Sequence, residues 1–228
     1  MKKLIVLTAV CCCLSTLMVA QEAPMYEKHK PSTEMQSLQT VASLAQYGYR
    51  HNSPTALIEA ARILGTTQCQ DADYNAVSDS SVEGGAEKET GISYDPEQLL
   101  LNAKEIAGND EELLALIKRT ETEIKDFAKE SRGAFGGPRT SKTRVNAYAT
   151  DVYTIRFWGD EFAEVALMGD GDTDLDLYIY DENGNLVAKD LSSTDACYCC
   201  WFPSRTAVYI IKVKNLGGVY NRYHLATN

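Results

Sequence analysis

The chain has 228 residues, 44% of them apolar and 24% charged, with 22 Lys and Arg against 32 Asp and Glu, for a formal net charge of -10. Both halves are acidic, which argues against a nucleic-acid partner or an anionic membrane surface, since each needs a concentrated basic face. The apolar fraction is enough for a packed core, and the length suits one or two domains.

Residues 1–20, MKKLIVLTAVCCCLSTLMVA, place Lys2 and Lys3 before an apolar run that ends in Met18-Val19-Ala20. This three-part form predicts a secretory signal peptide cleaved after Ala20. Cleavage leaves no membrane-spanning segment and an exported, periplasmic or extracellular chain. It also removes Cys11, Cys12 and Cys13, so Cys69, Cys197, Cys199 and Cys200 remain. Cys11 follows Val10 rather than a small residue, which disfavours lipidation.

Residues 21–33 are polar, contain Pro24 and Pro31, and read as a flexible leader. From Glu34 the apolar period becomes helical, through Leu38, Val41, Leu44, Ala45 and Gly48. Ser53-Pro54 then gives a cap with proline in the first helical position, and Leu57, Ala60, Ala61 and Leu64 continue the stripe to Gly65. Asp95-Pro96 repeats that start signal for a helix carrying Leu99, Leu100, Ala103 and Ala107, stopped by Gly108. Asn109 or Asp110 caps a longer helix with Leu113, Leu114, Leu116, Ile117, Ile124 and Phe127. The two proline-started segments, SPTALIEAARILG and DPEQLLLNAKEIAG, resemble each other. Fewer than three such units are present, so a small bundle or paired hairpins over 34–130 is expected rather than a helical repeat with a peptide groove. Between the pairs, 66–94 is rich in Ser, Asp, Glu and Gly without an apolar stripe, and is predicted to be a disordered acidic loop.

Residues 131–147 contain a Gly-Gly-Pro break and no periodic face, and read as a linker. Beyond them the period changes to two. Strands are predicted at 151–158, 162–168, 174–181, 185–189, 196–202, 207–214 and 219–226, separated by turn signals at the spacing of an all-β sandwich. The fold class is therefore α+β in two segregated parts, with helices followed by an antiparallel, jelly-roll-like sandwich over 148–228.

The run DVYTIRFWGDEFAEVALMGDGDTDLDLYIYDENGNLVAKD, followed by FPSRTAVYIIKVKNLGG and YNRYHL, resembles the bacterial pre-peptidase C-terminal domain. That module is a β-sandwich appended to secreted proteases and also found without them. The resemblance covers roughly residues 145–228, with DLDLYIYD as its most specific element. It implies a sandwich in an exported protein and does not reach the helices.

Asp170, Asp172, Asp174 and Asp176 occupy alternate positions. If Asp170 opens a calcium loop, Leu175 falls at the sixth position, where the sharp turn needs Gly, and Asp181 at the twelfth, where a longer Glu reaches the ion. An EF-hand is excluded. Two readings stay open: the carboxylates converge at one sheet edge and bind calcium, or they cap turns and deter edge pairing. Leu175, Leu177 and Ile179 alternate with Asp176, Tyr178 and Tyr180, so the two tyrosines lie on the outward face and are candidates for ligand binding.

In DACYCCWFP, Cys197 and Cys199 share one strand face and Cys200 the other. Residues three apart on a strand lie about 10 Å apart, too far for a relaxed disulfide, which needs Cα atoms within about 7 Å. A bridge from Cys69 and four unpaired thiols are both compatible with the spacing; a zinc site is not favoured. His29, His51 and His224 are the only histidines, read as solvent-exposed, with a Cys199 or Cys200 to His224 pairing on neighbouring strands as the one nucleophile arrangement to consider. No serine-hydrolase, zinc-protease or nucleotide-binding motif occurs. The expectation is a non-catalytic accessory or binding protein with no cofactor apart from the calcium reading, whose partner is an envelope protein, peptide or glycan. The alternative is a secreted hydrolase or protease-associated regulator, implied only by the usual setting of the β domain.

Overall fold

A computed structural model describes residues 30–79, 91–131 and 136–228. The predicted signal peptide, 1–20, and most of the expected leader, with His29, lie outside the described residues.

Helix α1, Thr33–His51, buries Met35, Leu38, Val41, Ala42, Ala45 and Gly48 along one stripe and ends at Asn52, whose φ of 48° turns the chain left-handed. Helix α2, Pro54–Thr66, folds back on it and buries Ala56, Leu57, Ile58, Ala60 and Ala61. A side chain at Gly48 would lie 2.5 Å from Leu57 Cδ2, so the close α1–α2 contact depends on that glycine. Helices α3, Pro96–Ala107, and α4, Glu111–Glu130, are capped by Asp95 and Asp110, each accepting from two backbone N–H groups of its first turn. Helix α2 packs on α1, α3 and α4, so the four helices form one bundle.

The strands are β1 Gln70–Asp71, β2 Val77–Asp79, β3 Arg139–Val145, β4 Thr150–Phe157, β5 Ala163–Gly169, β6 Leu175–Tyr180, β7 Leu186–Asp190, β8 Tyr198–Trp201, β9 Ala207–Asn215 and β10 Asn221–Thr227. They build two sheets, ordered β1-β3-β10-β5-β8 and β2-β4-β9-β6-β7. The eight longer strands have jelly-roll order, with neighbours antiparallel. All seven predicted strands are present.

Two expected irregular segments contribute strands instead. Within 66–94, β1 pairs parallel with β3 and β2 antiparallel with β4, while Tyr74 donates to or accepts from the Thr227 hydroxyl at 2.7 Å. A polar segment needs no apolar stripe of its own when existing sheet edges satisfy its backbone. Residues 80–90 lie outside the described residues. Within the expected linker 131–147, Arg139–Val145 is β3, hydrogen-bonded to β10 along its whole length. Its inward residues Ser141, Thr143 and Val145 are small or β-branched, a weak period-2 signal beneath four polar, mostly basic neighbours.

The sandwich core holds Phe157, Trp201 and Tyr209 in mutual edge or tilted contact, with Leu167, Leu177, Ile179, Ile211 and Val213 around them. A second core unites the helices with the outer face of the first sheet, through Ala166, Met168 and Ala226. The helices and strands are thus separate along the chain yet share buried surface.

Candidate functional site

Where the helices meet the loop end of the sandwich, a cleft of about 1200 Å³ opens. One wall is Gln46, Tyr49 and Arg50 of α1 with Gln98 and Asn102 of α3; the other is the β5–β6 loop, the β7–β8 loop and the start of β10. The segment 91–95 runs along its floor and brings Tyr94 under it.

Beneath the cleft Asp170 and Asp195 are 1% and 2% exposed. Asp195 Oδ1 accepts from Gln46 Nε2 at 2.8 Å, and Oδ2 accepts from Asn221 Nδ2 at 3.2 Å and from the Gly171 N–H. Gly171 has a φ of 89°, a left-handed backbone that glycine adopts without strain. Asp170 Oδ2 accepts from the Arg222 N–H at 2.8 Å, and its own N–H donates to Asn221 Oδ1 at 3.2 Å. Asn221, fully buried, therefore joins the two acids and also donates to Thr173 Oγ1 at 3.0 Å. Burial pushes the Asp195 carboxyl up, its hydrogen bonds from Gly171 and Asn221 oppose this, and the charge of Asp170 adds to it. Burial likewise raises the Tyr94 phenol, with the charge of Asp195 contributing.

His224 lines the same cleft and is half-buried rather than fully exposed, its ring edge-on to Tyr94 at 5.6 Å. Burial lowers its pKa to about 4, the Lys142 charge acts in the same direction and Asp95 opposes it. Nor do Cys199 or Cys200 stand on a strand next to His224, because β5 separates β8 from β10. The Cys-His arrangement is excluded by this register.

All four described cysteines are free. Cys69 packs against the helical core while Cys197 and Cys199 belong to the sandwich core, so the Cys69 bridge does not form. Cys197 Sγ donates to the Leu175 carbonyl at 2.9 Å. Burial raises the thiols of Cys69, to about 11, and of Cys197, Cys199 and Cys200, which disfavours the thiolate needed by a nucleophile or a metal.

The four alternating aspartates are not gathered into one site. Asp170, Asp172 and Asp174 line the cleft, with Asp170 turned under it, whereas Asp176 lies on the outer face of the second sheet and accepts from the Tyr178 hydroxyl at 3.0 Å. Among the described residues no group of three or more His, Cys, Asp or Glu side chains is placed to hold a metal ion. The cause is the passage from loop to strand between Asp170 and Asp176: period-2 spacing aligns carboxylates only where the backbone is already extended. Tyr178 and Tyr180 do share the outward face, their rings stacked with centroids 6.4 Å apart and 19° between planes.

Gln46, Tyr94, Asp195 and Asn221 carried no sequence signal as a site. They are scattered over the chain, and only the docking of α1 on β5 gathers them.

No family model matches the chain, and no curated protein matches it. Solved structures similar to it include the pre-peptidase C-terminal domain of a collagenase from Bacillus anthracis, at 15% identity over 41% of this chain and 91% of that one, with a TM-score of 0.33. Others are a periplasmic inhibitor of g-type lysozyme from Aeromonas hydrophila, at 14% identity over 42% and 88% with a TM-score of 0.32, and the Yersinia pseudotuberculosis-derived mitogen, at 13% over 41% and 86% with 0.28.

Proposed function

We propose that this chain is an exported, non-catalytic recognition protein that holds a polar ligand in the cleft between its helices and its sandwich. The observation that carries this reading is the cleft itself: both halves of the molecule build it, and amides, hydroxyls and carboxylates line it. Its buried acids are held by fixed donors, on both oxygens of Asp195 and on one oxygen of Asp170, which suits a rigid binding floor better than proton transfer. Burial lowers the pKa of His224 and raises those of the four thiols, which disfavours an imidazolium acid or a thiolate nucleophile at neutral pH. Export rests on the signal-like residues 1–20, and among the described residues no helix is long and apolar enough to cross a membrane.

Native mass spectrometry of the protein isolated from a cell envelope tests the reading. A ligand mass retained by the natural chain and lost from Thr173→Trp, which fills the cleft, supports it. Turnover in a peptidase or glycosidase panel that Asp195→Asn abolishes overturns it in favour of a hydrolase.

A further inference from the structure

The second sheet presents a different surface. Its inner face joins the sandwich core, and among the described residues no helix packs on its outer face. A groove of about 300 Å³ crosses that face from β2 to β6, lined by Asp79, Thr150, Val152, Tyr178, Tyr180, Lys212 and Lys214. Pairing fixes its rows: Lys212 stands opposite both Val152 and Tyr178, and Tyr178 stands opposite Lys189 on its other side. Tyr178 is therefore flanked by a lysine on each neighbouring strand. The Lys212 ammonium also sits over the Tyr180 ring, 5.1 Å from its centroid.

The charge here runs against that of the molecule. In a chain of net charge -10, the outer face carries Arg156, Lys189, Lys212 and Lys214 against Asp79 and Asp176, with Asp174 beyond Asp176 at the loop end of the strand. Asp176 is itself buried and hydrogen-bonded to Tyr178, which removes it from the exposed balance. A positive island around two stacked aromatic rings fits a ligand that offers a flat apolar face and an anion in the same repeating unit.

We infer that the Tyr178, Tyr180, Lys189, Lys212 and Lys214 surface binds a uronate-bearing polysaccharide. A pyranose ring stacks its C–H face on a tyrosine, and a carboxylate on each sugar pairs with the compact charge of a lysine ammonium. The groove crosses the strands rather than following an edge, so the sheet backbone is consumed by the β4–β9–β6 ladder. A peptide laid across it would find no main-chain partners for its own N–H and C=O groups, whereas a glycan needs none. This surface is separate from the cleft, and the inference stands whether or not the cleft binds a ligand.

Affinity electrophoresis of the exported chain in gels containing polygalacturonate, dextran or poly-glutamate tests it. The expected result is retardation by polygalacturonate that weakens with added salt, and none by dextran. Tyr178→Ala and Lys212→Gln should each weaken retardation about tenfold. Lys189→Gln and Lys214→Gln, on exposed positions that do not contribute to the core, keep the test valid if Tyr178→Ala fails to fold. The cleft variant Gln46→Ala should migrate as the natural chain does, and a loss in that variant would move the glycan to the cleft and overturn the assignment. No retardation by polygalacturonate, equal retardation by poly-glutamate, or retardation unchanged in the folded tyrosine and lysine variants also overturns it.

Discussion

The two sheets of the sandwich have the same number of strands and the same core between them, yet their outer faces differ. In the first, β5 is buried along its whole length, because Ala166 and Met168 face the helices while Val165 and Leu167 face the other sheet. In the second, β4 alternates between buried Tyr153, Ile155 and Phe157 and exposed Thr154 and Arg156. A strand reports its surroundings through periodicity, and that signal vanishes when both faces are covered. The covered sheet lends its loop end to the cleft; the uncovered one keeps tyrosines and lysines available on its face.

The difference can be broken most severely at β5. Ala166→Arg places a charged, oversized side chain between sheet and helices, and should cost about 3–5 kcal/mol. Thr154→Arg, at an outward position of the other sheet, should stay within about 0.5 kcal/mol. Urea melts followed by tryptophan fluorescence and by helical circular dichroism measure both. Equal costs for the two variants would mean that the helices do not seal the first sheet.

A smaller contrast involves pH. The folded pKa of His224, about 4, lies below the ordinary value of 6.5, so between these limits the unfolded chain takes up the proton and the folded one does not. The neutral ring's contribution is fully present above pH 6.5 and is lost as pH falls toward 4, by about 3 kcal/mol. Asp151 and Asp195 have raised values and change stability in the opposite sense, gaining as pH falls. Because both are retained in His224→Gln, the comparison isolates the histidine. That variant should lose less stability than the natural chain between pH 7 and 4, and parallel acid profiles would place His224 in water.

The smallest effect is expected at the rim of the uncovered sheet. Arg205 pairs with Glu182, with side chains 65% and 41% exposed. Arg205→Ala should change stability by roughly 0–0.5 kcal/mol and become indistinguishable from the natural chain in high salt. A larger, salt-resistant loss would indicate that this rim is packed rather than solvated.

The fold was legible wherever a segment carried its own hydrophobic or capping signal. Asp95 and Asp110 cap helices as their positions predict, and the Asn183-Gly184 turn closes the β6–β7 hairpin with Gly184 at φ 81° and Asp181 accepting from the Asn183 and Asn185 N–H groups. Segments stabilised by others were not legible. Gln70–Asp71, Val77–Asp79 and Arg139–Val145 are polar, and their strand conformation comes from partners. The shared face of Tyr178 and Tyr180 followed from alternation alone, whereas the separation of Asp176 from Asp170, Asp172 and Asp174 arises where the strand gives way to a loop.

The sequence by itself determined the helical stripes, the change to period two after residue 150, and the shared outward face of Tyr178 and Tyr180, because each depends on spacing along one continuous element. Only the tertiary structure decided that Asp195, Asn221, Gln46 and Tyr94 meet, that Cys69 stays apart from the sandwich thiols, and that His224 is desolvated. Those outcomes depend on how the bundle docks on one sheet and leaves the other uncovered, a choice made by the complementary packing of Ala166, Met168 and Ala226 against the helices.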